Sequence, residues 1–400
     1  MNENEIVWYC THCGKSNPED ACFCGGCGKK RGTGLPSWNK NLPAVAALML
    51  VVCAIVAWGL LGASSTKGKP ALVDVICFPA SQFEPYALIG LQKDGTVTFA
   101  GMESFFDAKA IQRISSWSHI TQIVSYDNGI IGLKDDGTIV EENCIHPSFY
   151  ISTNDDFSTW KNIKALYTDG FEAFGLTKDG RVLVTESSFY SRETVLDYMS
   201  WTNISELVPF VYPEFRGVIG ILSDKTVRYP LPYKPDPMID PRIPRNIKQV
   251  ASSGYLTACL SEDGHAMASG MYFNGITQKL EHLQNIEQVA ASMYGIACRL
   301  KDDSACYLYC DWVANEHAPV ADAVLQWQGI VDIHIFGSLV VGLKQDGRIV
   351  TASATGHSAI QQQLQEWDHI VRLKVCDGYI LGWQKNGNLL AAGIDLSRLS

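Results

Sequence analysis

Charge is scarce in this sequence: Asp, Glu, Lys and Arg make up 18% of its 400 residues, against 46% hydrophobic residues. That balance excludes a disordered or fibrous chain, and it leaves enough apolar surface for a large core without disulfides. Basic residues are scarcer than acidic ones, 32 against 42. Residues 1–41 hold five of the basic side chains (Lys15, Lys29, Lys30, Arg31, Lys40) and four of the acidic ones (Glu3, Glu5, Glu19, Asp20); taking these from the totals leaves 27 against 38 beyond residue 41. An acidic body repels phosphate backbones, so nucleic acid is not expected as its partner. Catalytic signatures are missing as well: there is no Gly-rich phosphate loop, no H-E-x-x-H helix and no G-x-S-x-G elbow. His146, His282, His317, His334, His357 and His369 do not cluster in sequence, and the Asp-rich hairpins lack the alternating acids of a calcium loop. The expectation is a protein that is not an enzyme.

What is present begins with cysteines. Cys10, Cys13, Cys22, Cys24 and Cys27 fall within eighteen residues, and two Cys-x-x-Cys pairs are each followed by Gly (Gly14, Gly28). Such paired knuckles suit a tetrahedral thiolate zinc site, whose metal supplies the folding energy a short segment lacks. Cys10, Cys13, Cys24 and Cys27 give the symmetric set, with His12 and Cys22 as bystanders; free or redox thiols are the competing reading. The segment 8–30, with Phe23 before the third ligand, resembles the short zinc ribbon of bacterial membrane proteins. A structural Zn²⁺ is the implied cofactor, since four thiolates leave no open position.

A basic linker (31–41) follows, and then residues 41–66 carry no charge at all. About 20 apolar residues cross a hydrocarbon core as a helix, so 42–64 reads as a transmembrane helix in the lipid bilayer, an uncleaved signal-anchor. Lys29, Lys30, Arg31 and Lys40 flank it on one side and only Lys67 and Lys69 on the other. The positive-inside rule then puts the ribbon in the cytoplasm and the large domain outside the cell membrane. The seven cysteines of the large domain argue the other way, because free thiols are unusual outside.

From residue 70 to 400 one pattern recurs at a period of roughly 40 residues. Its clearest copy is Trp117 to Val140, in which Trp117-x-x-Ile120 opens and Asp136-Gly137 turns between apolar runs. Openers recur at Trp160, Trp201, Pro244, Leu283, Trp327 and Trp367, and hairpins follow Leu91, Leu133, Leu176, Leu222, Leu260, Leu300, Leu343 and Trp383. In two hairpins Lys225 and Ser304 stand in the glycine place. Cys259 and Cys298 occupy matching positions as small core residues. Four spacers ending in Trp, among them AKAIQRISSW with Ile111 and Ile114, read as short helices. The expected fold is mainly β, a β-propeller of seven or eight blades with eight favoured by the hairpin count, plus the ribbon and the one membrane helix.

The W-x-x-I-x-x-I, G-L-K-x-D-G-x-V repeat over about residues 70–396 resembles that of the regulator-of-chromosome-condensation superfamily, including bacterial propellers of the β-lactamase-inhibitor type. The G-Q-L-G ending of the eukaryotic form is missing. The resemblance implies a ring of short antiparallel blades, usually seven. No strand is left over after the last hairpin to close such a ring.

Function is expected where the repeats lose regularity. Insertions between residues 143 and 246 are rich in aromatics, and Phe149, Tyr150, Phe189, Tyr190, Tyr212, Phe215 and Tyr233 are candidates for a partner-binding surface. The competing reading is that these rings cap the fold and stay buried. The sequence thus reads as a membrane-anchored binding or scaffold protein whose propeller recognises a protein or cell-envelope ligand. The alternative is a propeller enzyme acting on a cell-wall or polysaccharide substrate, which needs a convergent set of acids, bases or metal ligands.

Overall fold

A computed structural model describes residues 7–9, 16–18, 71–78, 87–101, 106–126, 129–144, 157–185, 190–211, 216–230, 245–253, 256–270, 274–354, 357–376 and 378–399. The chain divides into two compact units, Met1–Gly68 and Lys69–Ser400. In the first, strands Val7–Tyr9 and Ser16–Pro18 pair antiparallel, with Tyr9 opposite Ser16. Cys10, Cys13, Cys24 and Cys27 and the span 42–64 lie outside the described residues. Among the described residues, no helix is long and apolar enough to cross a membrane.

The second unit is a succession of eight three-stranded antiparallel sheets, consistent with a β-propeller. Sheet 1 comprises Leu72–Phe78, Ala87–Gln92 and Val97–Gly101; sheet 2, Ile120–Tyr126, Gly129–Lys134 and Ile139–Asn143. Sheet 3 comprises Ile163–Thr168, Ala173–Thr177 and Val182–Val184; sheet 4, Ile204–Val211, Arg216–Leu222 and Val227–Arg228. Sheet 5 comprises Ile247–Ser252, Leu256–Ser261 and Ala266–Gly270; sheet 6, Ile286–Ser292, Gly295–Leu300 and Ala305–Tyr309. Sheet 7 comprises Ile330–Phe336, Leu339–Lys344 and Ile349–Ser353; sheet 8, Ile370–Val375, Ile380–Gln384 and Leu389–Ala392. Short helices precede five of them: α1 (Ala108–Ser115), α2 (Arg192–Met199), α3 (Asn274–Glu281), α4 (Ala314–Val324) and α5 (Ser358–Gln365). Four match the expected spacers, and α3 is an addition. Ile114 is fully buried and Ile111 packs beside it, as the helical spacing requires.

Each seam between neighbouring sheets holds its own apolar cluster. Ile89 of sheet 1 packs with Trp117 and Ile123 of sheet 2, and the series runs round to Leu339 of sheet 7 with Trp367 and Ile370 of sheet 8. A further cluster joins Tyr379 and Leu381 of sheet 8 to Val75 and Leu88 of sheet 1, which completes the circuit. Backbone bonds stitch seven of these seams. The first residue of a sheet donates its N–H to the turn of the sheet before it, as in Ile120 to the Gly95 carbonyl (2.9 Å) and Ile370 to that of Gly347 (3.0 Å). The residue ahead of that donor is left-handed: His119, Asn162, Asn203, Asn246, Asn285, Gly329 or His369. Asn tolerates this conformation because its short side chain bonds locally. Gln122 and Gln249 add side-chain clamps, each amide pairing with both backbone groups of one residue on the next sheet, Leu166 and Val289.

The opening tryptophans explain the glycine in the middle strand. A Cβ at Gly175 would lie 2.8 Å from the Trp160 ring, and one at Gly382 would lie 2.6 Å from Trp367. Where the opener is Pro244 or Leu283, a cysteine takes the glycine's place: Cys259 pairs with Val250 and Cys298 with Val289, just as Gly175 pairs with Leu166. Sheet 1 has the glycine and no Trp, and there Leu72 and Leu399 approach Gly90. Leu399 belongs to a 3₁₀ turn, Leu396–Leu399, so the end of the chain fills the space a tryptophan fills elsewhere. Side chains bridge this last seam too: Lys374 to Asp74 (2.8 Å), the Tyr379 hydroxyl to the Val75 carbonyl (3.0 Å) and the Trp383 indole N–H to that of Val73 (3.0 Å).

One sequence assignment needs correction. Ser304 does not stand in glycine's place: Asp303 takes the left-handed position (φ 61°), and Ser304 donates to the Asp302 carboxylate as Thr138 does to Asp136. The alignment on Leu300 is one residue late, so Arg299 stands opposite Gln288 where Leu133 stands opposite Gln122. Lys225 does adopt the left-handed conformation (φ 64°).

Candidate binding face

The stitches run every first strand in the same sense, so the ring has two unlike faces. One carries the eight hairpins between second and third strands. Asp side chains, and Asn386 in the eighth, cap their own turns: Asp136 accepts from the Thr138 N–H (2.8 Å) and hydroxyl (2.6 Å), and the Thr138 hydroxyl holds its carboxyl below the usual range. The opposite face, the loop face, carries the turns between first and second strands. Segments 145–156, 186–189, 212–215 and 231–244 lie outside the described residues, and with them Phe149, Tyr150, Phe189, Tyr212, Phe215 and Tyr233.

Of the seven aromatic candidates, Tyr190 is the one the structure places. Its hydroxyl donates to Asp169, and its ring packs near Phe174 (6.3 Å) and Tyr198 (5.8 Å). Asp169 and Glu172 are each 1% exposed. Asp169 accepts from the N–H groups of Phe171 (3.0 Å) and Glu172 (2.8 Å), and Thr185 donates to Glu172. Burial raises the Asp169 pKa against the pull of Tyr190, these N–H groups and Arg216. Arg216 lies over the Phe171 ring at 4.2 Å. The network ties the loop-face turn of sheet 3 to the entry of α2, which is a structural use of Tyr190.

Two further features of this face carry no contiguous sequence signal. A cleft of ≈ 390 Å³ opens between the loop-face turns of sheets 7 and 8, lined by Ile335, Phe336, Gly337, His357, Val375, Cys376 and Gly378. His357 meets Phe336 edge to face at 5.3 Å, and burial lowers its pKa. Its volume falls in the range of small-ligand pockets. The second feature lies at sheet 6, where Met293 and Trp312 are 37% and 59% exposed. Trp312 meets Tyr294 at 5.8 Å, and Tyr294 meets His317 at 5.1 Å. His317 Nδ1 bonds the Tyr307 hydroxyl (2.9 Å), and burial lowers the His317 pKa. Burial pushes the Cys310 thiol up to about 12, and the thiol donates to the Met293 carbonyl (3.8 Å). Among the described residues, no three His, Cys, Asp or Glu side chains are grouped as metal ligands. None of the seven cysteines of this unit forms a disulfide.

No protein-family model matches the chain, and no curated protein matches it. Solved structures do. The computationally designed Ika8 protein is 13% identical over 82% of this chain and 97% of its own, with a TM-score of 0.43. The C-terminal domain of gp131 from bacteriophage phiKZ is 11% identical over 84% of this chain and 95% of its own, at 0.42. Prp20p from Saccharomyces cerevisiae is 11% identical over 71% of this chain and 60% of its own, at 0.26. At these values the likenesses carry no functional argument, and the architecture rests on the chain's own strands and seams.

Proposed function

We propose that this chain is a membrane-anchored binding protein. Residues 70–400 form an eight-bladed β-propeller whose loop face recognises a protein or cell-envelope ligand. A zinc ribbon at 8–30 stands on the cytoplasmic side of a span at 42–64, with the propeller outside. The observation that carries the binding role is the inequality of the two faces. One carries turns whose Asp or Asn side chains cap their own backbone; the other carries a cleft and the exposed Met293 and Trp312. Rigid scaffolds with one irregular, aromatic face present binding surfaces.

The ribbon has local support. Strands 7–9 and 16–18 pair antiparallel, and Cys10 and Cys13 fall between them in sequence, the order a zinc knuckle has. Bound by these thiols with Cys24 and Cys27, Zn²⁺ would supply the cross-link that holds so short a segment folded. The purified chain should contain zinc, and Cys10→Ser with Cys13→Ser should remove it; full zinc content in that variant would dismiss the assignment. For the binding role, residues 70–400 serve as bait on surface extracts, beside a bait whose insertions between 143 and 246 are replaced by short turns. Capture is expected from the first bait and reduced from the second, and a membrane-impermeant thiol reagent on intact cells should label the large domain.

A further inference from the structure

Trp312 breaks the way this chain uses tryptophan. Trp117, Trp160, Trp201 and Trp367 are buried at sheet seams, whereas Trp312 is 59% exposed. Yet its ring is not loose. One side tilts against Tyr294 (5.8 Å, 49°), Tyr294 rests on His317 (5.1 Å), and His317 is 1% exposed and bonded to Tyr307. An exposed indole already held in place gives up little conformational freedom on binding, and tryptophan is enriched among residues that dominate interfaces.

The chain beside this ring is acidic: Asp311 precedes Trp312, Glu316 follows it by four residues, and both are exposed. The same neighbourhood already holds a cation on an aromatic face: Lys279 lies over Tyr309 at 5.5 Å. Carboxylates beside an exposed indole attract cationic side chains and repel anionic headgroups. We propose that Trp312, with Tyr294 and Met293 beside it and Asp311 and Glu316 flanking it in the chain, receives an Arg- or Lys-rich segment of a partner protein, one cationic group lying over the indole. The proposal rests on the binding role assigned above to the loop face, and it names the chemistry of the partner.

The test is the anisotropy of a fluorescein-labelled oligo-arginine peptide against the full chain in detergent micelles, with oligo-glutamate as control. Trp312→Ala weakens the oligo-arginine complex about three- to fivefold, and Trp312→Phe weakens it less. Asp311→Asn with Glu316→Gln weakens it and flattens its salt dependence. Asp135→Asn with Asp368→Asn, exposed acids on the turn face, leaves it unchanged. The proposal is overturned if Trp312→Ala binds like the parent, or if the turn-face pair weakens binding as much as the pair flanking Trp312. It is also overturned if Trp312-dependent binding is found for phosphatidylcholine vesicles and not for the peptide. Loss of partner capture on replacing the insertions, with Trp312→Ala binding oligo-arginine undiminished, leaves the binding role standing and removes only the cationic segment.

Discussion

Arg299 shows how a single position can depart from its repeat. It stands where the other sheets place Leu91, Leu133, Leu176, Ile221, Leu260, Leu343 and Trp383, and its Nε is buried without a hydrogen-bond partner. Its guanidinium reaches Glu287 and Asp303 only at 3.9 and 3.7 Å. Arg299→Leu therefore raises stability by about 1 kcal/mol, read from urea unfolding; a loss of stability would mean that the long ion pairs outweigh the buried nitrogen. His317 gives a pH dependence. Its folded pKa lies below 6.5, so as pH falls below that value the unfolded chain takes up the proton first. The contribution of neutral His317 is complete above about pH 6.5 and declines as pH drops toward the folded pKa. His317→Gln should lose this part of the decline in a urea midpoint series, and identical slopes would remove His317 as its source. At this scale the sequence reads unevenly. The Asp-Gly turns are legible because cap and turn are two residues apart, whereas Tyr190's acceptor, Asp169, is 21 residues away and buried by the fold.

Among elements, the repeat is best understood as a pair of matched choices. Trp goes with Gly, and Leu or Pro goes with Cys, because ring and Cβ compete for one space above the middle strand. Gly175→Cys alone is expected to cost about 1–3 kcal/mol, and Trp160→Leu alone about 2–4 kcal/mol. The double variant should cost less than their sum by about 1 kcal/mol or more, and strict additivity would refute the pairing. The strands, the turns and four of the five helices follow from contiguous periodicity. The helix α3 carries the same spacing, with Ile276 and Leu280 buried four residues apart, but it leads to Leu283 where the other spacers end in Trp, and the left-handed Asn, His or Gly before each opening Ile has no role in strand alternation. Its purpose is visible only once the turn it adjoins belongs to a different sheet.

For the molecule as a whole, the eighth seam is the exception. Seven seams combine an apolar cluster with a backbone bond, and the eighth is bridged by Lys374, Tyr379, Trp383 and Leu399 side chains. No sequence period reveals that bridge, because its partners lie about 300 residues apart. Leu399→Ala should cost about 2–4 kcal/mol, and hydrogen exchange should quicken first in Leu72–Phe78 and Ile380–Gln384. Uniform acceleration round the ring would show that the seam is no weaker than its neighbours.

That seam also bears on mechanical load. Sheet 1 adjoins the segment of chain that leads to residues 42–64, while the exposed tryptophan sits at sheet 6. Tension between those two points divides into two arcs, and the shorter one crosses the junction that, among the described residues, is bridged by side chains and not by a backbone bond. Under the anchoring and binding proposed above, the ring would open there before any sheet came apart, and the other seven seams would hold.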